Sequence, residues 1–311
     1  MKVIYGLHNL KKLDRESAVT IGVFDGVHLA HRQIIKQVIE QSKQHHWHSV
    51  LITFDPHPLD LLKPKTYPTI LTGLNLKLHL IERLGIEIVV IIKFTKAFSK
   101  MSASKFIEDV LVDKLQVAHI SIGAGFKFGY KSKGNVEMLK EAGAKYSFGV
   151  KEVAPIKTFD GLMISSTRIR TLLKAGELEQ AKRLLGHQPI ISGKVITGKG
   201  YGSQTGFHTA NIETADKASV PKEGVYAAFV ILDNKKLQAV VNIGPSPTFD
   251  VVKKRIEAHI LEYDKPLYDR ELELELISRV RDIRKFPNTE SLSAQIKKDI
   301  AQAKKILSGH K

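Results

Sequence analysis

The sequence changes texture once, around Gly186-His187-Gln188-Pro189, and that change limits what the chain can fold into. Upstream, short runs of β-branched residues alternate with stretches of helical periodicity. Residues 19–24, 49–54, 86–92 and 119–122 read as strands, and residues 32–44, 76–84 and 106–115 as helices. Such alternation predicts an α/β domain, a parallel sheet with helices on both faces. Ligands of such sheets sit beyond the carboxyl ends of the strands, so chemistry is expected in the loops at residues 25–31 and 55–58. A short helical pair, residues 167–174 and 178–185, split by Gly176, precedes the change. Downstream, alternating strands at residues 190–196, 224–232, 237–243, 255–261 and 272–280 predict an antiparallel β-barrel. A final helix over about residues 291–307 has apolar positions at Leu292, Ile296, Ile300, Ala303 and Ile306, with Asn288 or Thr289 as its cap. With 311 residues the chain is long enough for two cores. The expected domains are residues 1–186 and 187–311.

Forty-eight Lys and Arg against thirty-two Asp and Glu leave a net charge of +16, which favours anionic partners. The absence of cysteine excludes disulfides, thiolate nucleophiles and cysteine-bound metals. The most apolar run, residues 88–92, stops at Lys93, far short of the roughly 20 residues of a membrane span. The N-terminal stretch MKVIYGLHNL has no continuous apolar run of signal-peptide length. A soluble, cytoplasmic protein is expected, with no membrane partner. No groove-reading module or cluster of exposed aromatics accompanies the basic charge, so nucleic acid is not expected as a partner either. His45-His46-Trp47-His48 reads as a solvated turn, and the lysines of the last helix as a solvated face.

Two motifs carry chemistry. In the segment FDGVHLAH, residues 24–31, two histidines three apart stand where a strand hands over to a helix. Helix N-termini offer unpaired N–H groups to phosphate, and two imidazoles add hydrogen bonds to a transferring phosphoryl group. In ISSTRIR, residues 164–170, three hydroxyls and two arginines open a helix. Ser165 or Ser166 is a natural cap, and the Arg168 guanidinium suits phosphate oxygens.

Together these motifs resemble the bifunctional riboflavin kinase/FAD synthetase family of prokaryotes. Further matching stretches are TFDPHP (53–58), LTGLNLKLHLIERLG (71–85), residues 94–112 and GAGFKFG (123–129). In the second half they are ISGKVITGKGYG, TGFHTANI (205–212), PKEGVYAAFV, NIGPSPTF, IEAHILEYDKPLY and RVRDIRKF. The resemblance implies a Rossmann-like nucleotidyltransferase domain that transfers AMP from ATP to FMN. It also implies a six-stranded riboflavin-kinase barrel with a C-terminal helix. It assigns His28, His31 and Arg168 to adenylyl transfer. Gly22, Phe24, Asp25, Ser165, Ser166, Thr167, Gly198 and Gly202 would bind nucleotide, and Phe54, His57, Pro58 and Phe128 flavin. Glu257 would be the kinase base, with Thr209 and Asn211 at Mg²⁺. The implied small molecules are riboflavin, FMN, FAD and ATP.

This chain departs from the family pattern at Ala30 (usually Gly), Gly125 (Asp or Asn), Lys127 (Arg), Asn135 (Asp), Ser203 (Arg), Thr205 (Leu) and His208 (Pro). Two other readings therefore stand beside a bifunctional enzyme. One is a relative keeping a single activity or only flavin and nucleotide binding. The other is a basic nucleic-acid-binding protein.

Overall fold

The computed structural model describes residues 1–64, 69–197, 207–215, 217–233, 235–245 and 254–310. Gly198, Gly202, Ser203 and Thr205 lie outside the described residues. The chain packs as two compact units, Met1–Pro68 with Lys77–Ile164, and Thr69–Leu76 with Ser165–Lys311. Thr69–Leu76 joins the second unit through backbone bonds. Ile70 N donates to Lys217 O, and Ser219 N to Ile70 O, both at 2.7 Å.

The first unit is an α/β sheet. Its strands are β1 (Lys2–Tyr5), β2 (Ser17–Ile21), β3 (His48–Phe54), β4 (Ile88–Ile92), β5 (Val117–Gly123) and β6 (Gly149–Val153). All pairings are parallel, in the order β1-β4-β3-β2-β5-β6. The order reverses between β2 and β5, so the switch point where such sheets bind ligands lies beside the carboxyl end of β2. Val19, Ile21, Val50, Ile52, Val90 and Ile120 anchor a continuous core. Helix α1 (Leu29–His45) packs on β2, β3 and β5.

Three expectations need correction here. Strand β2 ends at Ile21, not residue 24, because the chain then turns through positive φ at Phe24, Gly26 and Val27. His31 lies in the first turn of α1 and not in a loop, because the His28 side chain caps that helix. The helix expected over 106–115 begins earlier, as α4 (Ala103–Phe106), capped by Ser102, and continues π-wound over Ile107–Val112. Strands β1 and β6 and helix α5 (Val136–Tyr146) were not legible from periodicity.

His48 also departs from the solvated turn. It opens β3 with its ring buried, 2.7 Å from Asp14 Oδ1 through Nε2 and 2.7 Å from Glu87 Oε1 through Nδ1. His45 stacks on Trp47 instead.

The second unit is a closed barrel of β7 (Ile190–Ile196), β8 (Ala210–Glu213), β9 (Gly224–Leu232), β10 (Lys235–Pro245), β11 (Lys254–Ile260) and β12 (Glu271–Arg281). Its strands follow the order β10-β11-β8-β7-β12-β9, antiparallel throughout. Before the barrel come α6 (Ser166–Ala175) and α7 (Leu178–Leu185); after it comes α8 (Thr289–Ser308), capped by Asn288. Ala303 and Leu307 of α8 pack on Val225, Ala227 and Phe229 of β9. Asp299, on the same helix, is only 3% exposed. It accepts from Arg281 Nε at 2.9 Å and from the same guanidinium's second nitrogen at 2.7 Å. This bidentate pair ties the end of β12 to α8.

Asp299→Ala would leave the Arg281 guanidinium without its carboxylate, holding only the Asp282 carbonyl through its other nitrogen. We expect a loss of about 3 kcal/mol, the low end for a buried pair, because Arg281 keeps some contact with water. Equilibrium urea unfolding measures it. A loss below about 1 kcal/mol contradicts the pair's role.

Candidate active sites

The first site starts from backbone geometry. Phe24, Gly26 and Val27 take φ of 51°, 87° and 40°, and Val27 is fully buried. A β-branched residue pays strain in the left-handed region, and burial holds Val27 there. Gly22 admits the Phe24 ring, since a Cβ at that position would meet it at 3.1 Å. The turn delivers His28 as the cap of α1. Its Nδ1 accepts from His31 N at 3.4 Å, which leaves the imidazole proton on Nε2 when the ring is neutral. The two rings stack at 3.6 Å and 15°. Phe24 packs edge-on against His31 at 5.3 Å. His31 Nδ1 is buried with no hydrogen-bond partner among the described residues.

Burial, then the neighbouring charges of His28 and Lys77, hold the His31 pKa well below the ordinary value of 6.5. Lys77, in helix α3 (Leu74–Glu82), is 6% exposed. Burial lowers its ammonium from the usual lysine value, and the carboxylates of Asp25 and Asp55 work in the opposite direction. Asp25 is itself buried. A buried cation without a carboxylate in ion-pair contact among the described residues is costly, and an arriving anion relieves that cost.

Beyond β3 lies a chain of rings. Phe54 meets Phe94 at 5.7 Å and Phe98 at 6.3 Å. Phe98 then meets Phe106, Phe106 meets Phe128, and Phe128 stacks on Phe126 at 5.5 Å. His57 caps the short helix α2 (Pro58–Leu62), its Nδ1 accepting from Leu59 N at 3.0 Å, and Pro58 fills the first helical position. Asn135 caps α5 through Met138 N at 2.9 Å, and Gly125 takes φ 73° with open space around it. Ala30 sits in the first turn of α1, where Ala suits a helix.

In the second unit Ser165 caps α6, accepting from Arg168 N at 3.3 Å. Ser166, Thr167 and Arg168 form the first turn, with Thr167 exposed. On the barrel, Glu257 of β11 is in register with Asn211 of β8 on one side and Asn242 of β10 on the other. Asn242 Nδ2 donates to Glu257 Oε2 at 3.3 Å, and Arg255 lies 3.8 Å from Oε1. Ile256, Ala258 and Ile260 point into the barrel, so Arg255, Glu257 and His259 share the outer face. Thr209, two residues before Asn211, precedes β8. Among the described residues no three His, Cys, Asp or Glu gather as a metal cluster.

The FAD synthetase family profile matches residues 10–168, and the riboflavin kinase profile residues 185–307. The bifunctional riboflavin kinase/FMN adenylyltransferase of Buchnera aphidicola subsp. Schizaphis graminum is 40% identical over 98% of both chains. The enzyme of the same description from Escherichia coli K12 is 36% identical, again over 98% of both. The chain belongs to the bifunctional riboflavin kinase/FMN adenylyltransferase family. A Streptococcus pneumoniae structure described as a macrolide-efflux protein shares the fold, at 25% identity, TM-score 0.84 and 98% and 99% coverage of the two chains. In this family member, no described helix is long and apolar enough to cross a membrane.

Sequence reasoning missed Lys77, Asn242 and Arg255. Lys77 lay inside the matching LTGLNLKLHLIERLG stretch, within the helix expected over 76–84. Asn242 becomes visible only once the β10–β11 register sets it across from Glu257.

His31 is expected to titrate well below pH 6.5 in the ligand-free protein, and Lys77→Met to raise its midpoint by removing a nearby charge. Ring-nitrogen NMR resolves both. A midpoint at or above 6.5, or no rise in the variant, contradicts this electrostatic picture.

Proposed function

We propose that each half of this enzyme keeps its own reactive centre: FMN is made at the Glu257 row of the barrel, and FAD at the His28–His31 pair. The reading is supported by family membership across nearly the full length and by His28 and His31 belonging to one compact unit and Glu257 to the other. It assigns residues 1–186 to adenylyl transfer and residues 187–311 to the kinase.

In the kinase step, the Glu257 carboxylate takes the proton from a ribityl hydroxyl of riboflavin, and that oxygen bonds to the γ-phosphorus of ATP as ADP leaves. Asn242 steadies the carboxylate by donating to Oε2. Asn211, paired with Glu257 across the ladder, and Thr209, two residues before it, supply hard oxygen donors, a set that suits Mg²⁺, which commonly takes few protein ligands beside phosphate oxygens. Bound there, Mg²⁺ would offset the charge of the phosphates. Gly198 and Gly202 are assigned to nucleotide binding on the resemblance alone.

In the adenylyl step, a phosphate oxygen of FMN attacks the α-phosphorus of ATP and pyrophosphate leaves. The stacked imidazoles donate to phosphate oxygens, and the low pKa of His31 means that it is neutral beforehand. Phosphate favours the charged ring, so ATP binding would draw a proton onto His31. Lys77 adds a buried positive charge, and Gly22 and Asp25 shape the turn. Phe24, buried against His31, orients that ring more than it meets nucleotide. Ser165, Ser166, Thr167 and Arg168 are assigned to nucleotide phosphate in this reaction, with Arg168 as the charged donor. Phe54, Phe128, His57 and Pro58 are assigned to flavin, the rings offering a stacking surface.

With ATP and Mg²⁺, products from riboflavin and from FMN are separated by chromatography. Glu257→Gln should cut FMN formation on the order of 100- to 10,000-fold and spare FAD formation from supplied FMN. Loss of both activities contradicts two centres. Lys77→Met should lower kcat/KM for FAD formation about ten- to a hundredfold, with FMN formation unchanged. An unchanged kcat/KM removes Lys77 from the adenylyl site.

A further inference from the structure

The pairing of β8 with β11 stops at Ala210, one residue short of Thr209. The ladder runs Ile212–Ile256, Asn211–Glu257 and Ala210–Ala258, and the next pair, Thr209 with His259, is not formed. At that point a side chain takes over. His259 Nδ1 lies 2.8 Å from the backbone oxygen of His208. A carbonyl only accepts, so Nδ1 carries the proton and donates. The same ring meets Phe207 edge-on at 5.5 Å, with an 87° angle between the planes. One imidazole therefore holds both residues that lead into Thr209.

We propose that His259 is a positioning residue for riboflavin phosphorylation, pinning Phe207 and His208 so that Thr209 and Asn211 face Glu257 in a fixed geometry. This rests on the kinase reading given above. Glu257 and His259 are two apart on one strand and share its outer face. A single rigid element thus carries the proton acceptor and the pin for the group opposite it. Without the pin, residues 207–209 have no ladder bond to β11, and small displacements at a phosphoryl-transfer centre slow the reaction strongly. The bond survives in the neutral Nδ1–H tautomer and in the cation, so protonation of His259 is not the lever.

The test exploits amide geometry. Asn places its Nδ2–H close to where His places Nδ1–H, whereas Gln reaches only the Nε2 position. Full-length His259→Leu, His259→Gln and His259→Asn are assayed for FMN formation from riboflavin and FAD formation from supplied FMN. Leu and Gln are expected to lower kcat for FMN formation about tenfold, with riboflavin KM within about twofold. Asn is expected to stay within about threefold of the unsubstituted enzyme, and FAD formation to be unchanged in all three. If the Leu protein does not fold, the Asn–Gln contrast still decides. Equal rates for Asn and Gln, or an unimpaired Leu variant, overturn the proposal. Absence of FMN formation by the unsubstituted enzyme would instead sink the kinase reading itself.

Discussion

The adenylyl-transfer half depends on a turn that the backbone adopts only under compulsion. Phe24, Gly26 and Val27 are all held at positive φ. For the non-glycine residues that costs on the order of 1–3 kcal/mol each. The surroundings enforce it: Val27 is wholly buried, its N–H donates to Phe24 O at 3.1 Å, and its carbonyl accepts from Arg32 Nε at 3.0 Å. Because the chain reverses here, at the switch point of the sheet, α1 starts with His28 as its cap. His31 then falls one turn later against the same ring. The stacked pair follows from the turn and the helical period together.

The barrel half solves a different problem by register. An antiparallel ladder sets side chains of three neighbouring strands in a row, and here the row is Asn211, Glu257 and Asn242. A one-residue slip of β11 would send Glu257 inward, where Ile256 and Ala258 now pack, so burial of those apolar residues fixes the carboxylate outward. The same alternation puts His259 beside it. Core packing and the geometry of the proposed kinase centre are therefore specified by one pattern.

Much of this was legible in the sequence, for identifiable reasons. Long β-branched runs such as residues 49–54 declare themselves, as do helices with a consistent apolar face such as α7. The histidine and Ser-Thr-Arg motifs were recognisable because spacing and residue type together are rare. Strand β8 was not, since only Ile212 of its four residues is buried. Asp299 was missed because a carboxylate on a helix normally faces water, and only the Arg281 side chain across the fold reverses that. The neighbours of Lys77, Asn242 and His259 that matter lie far away in sequence or on another strand. No local pattern marks such residues.

The central claim is that one chain holds two centres that work independently. Mixing two full-length variants tests it directly: Glu257→Gln, which keeps the His28–His31 pair, and a His28→Ala/His31→Ala double variant, which keeps Glu257. Given riboflavin, ATP and Mg²⁺, neither protein alone should make FAD, while the mixture should form FAD after a lag as FMN passes between molecules. FMN that accumulates in the mixture without FAD, or no FMN at all, would contradict the account.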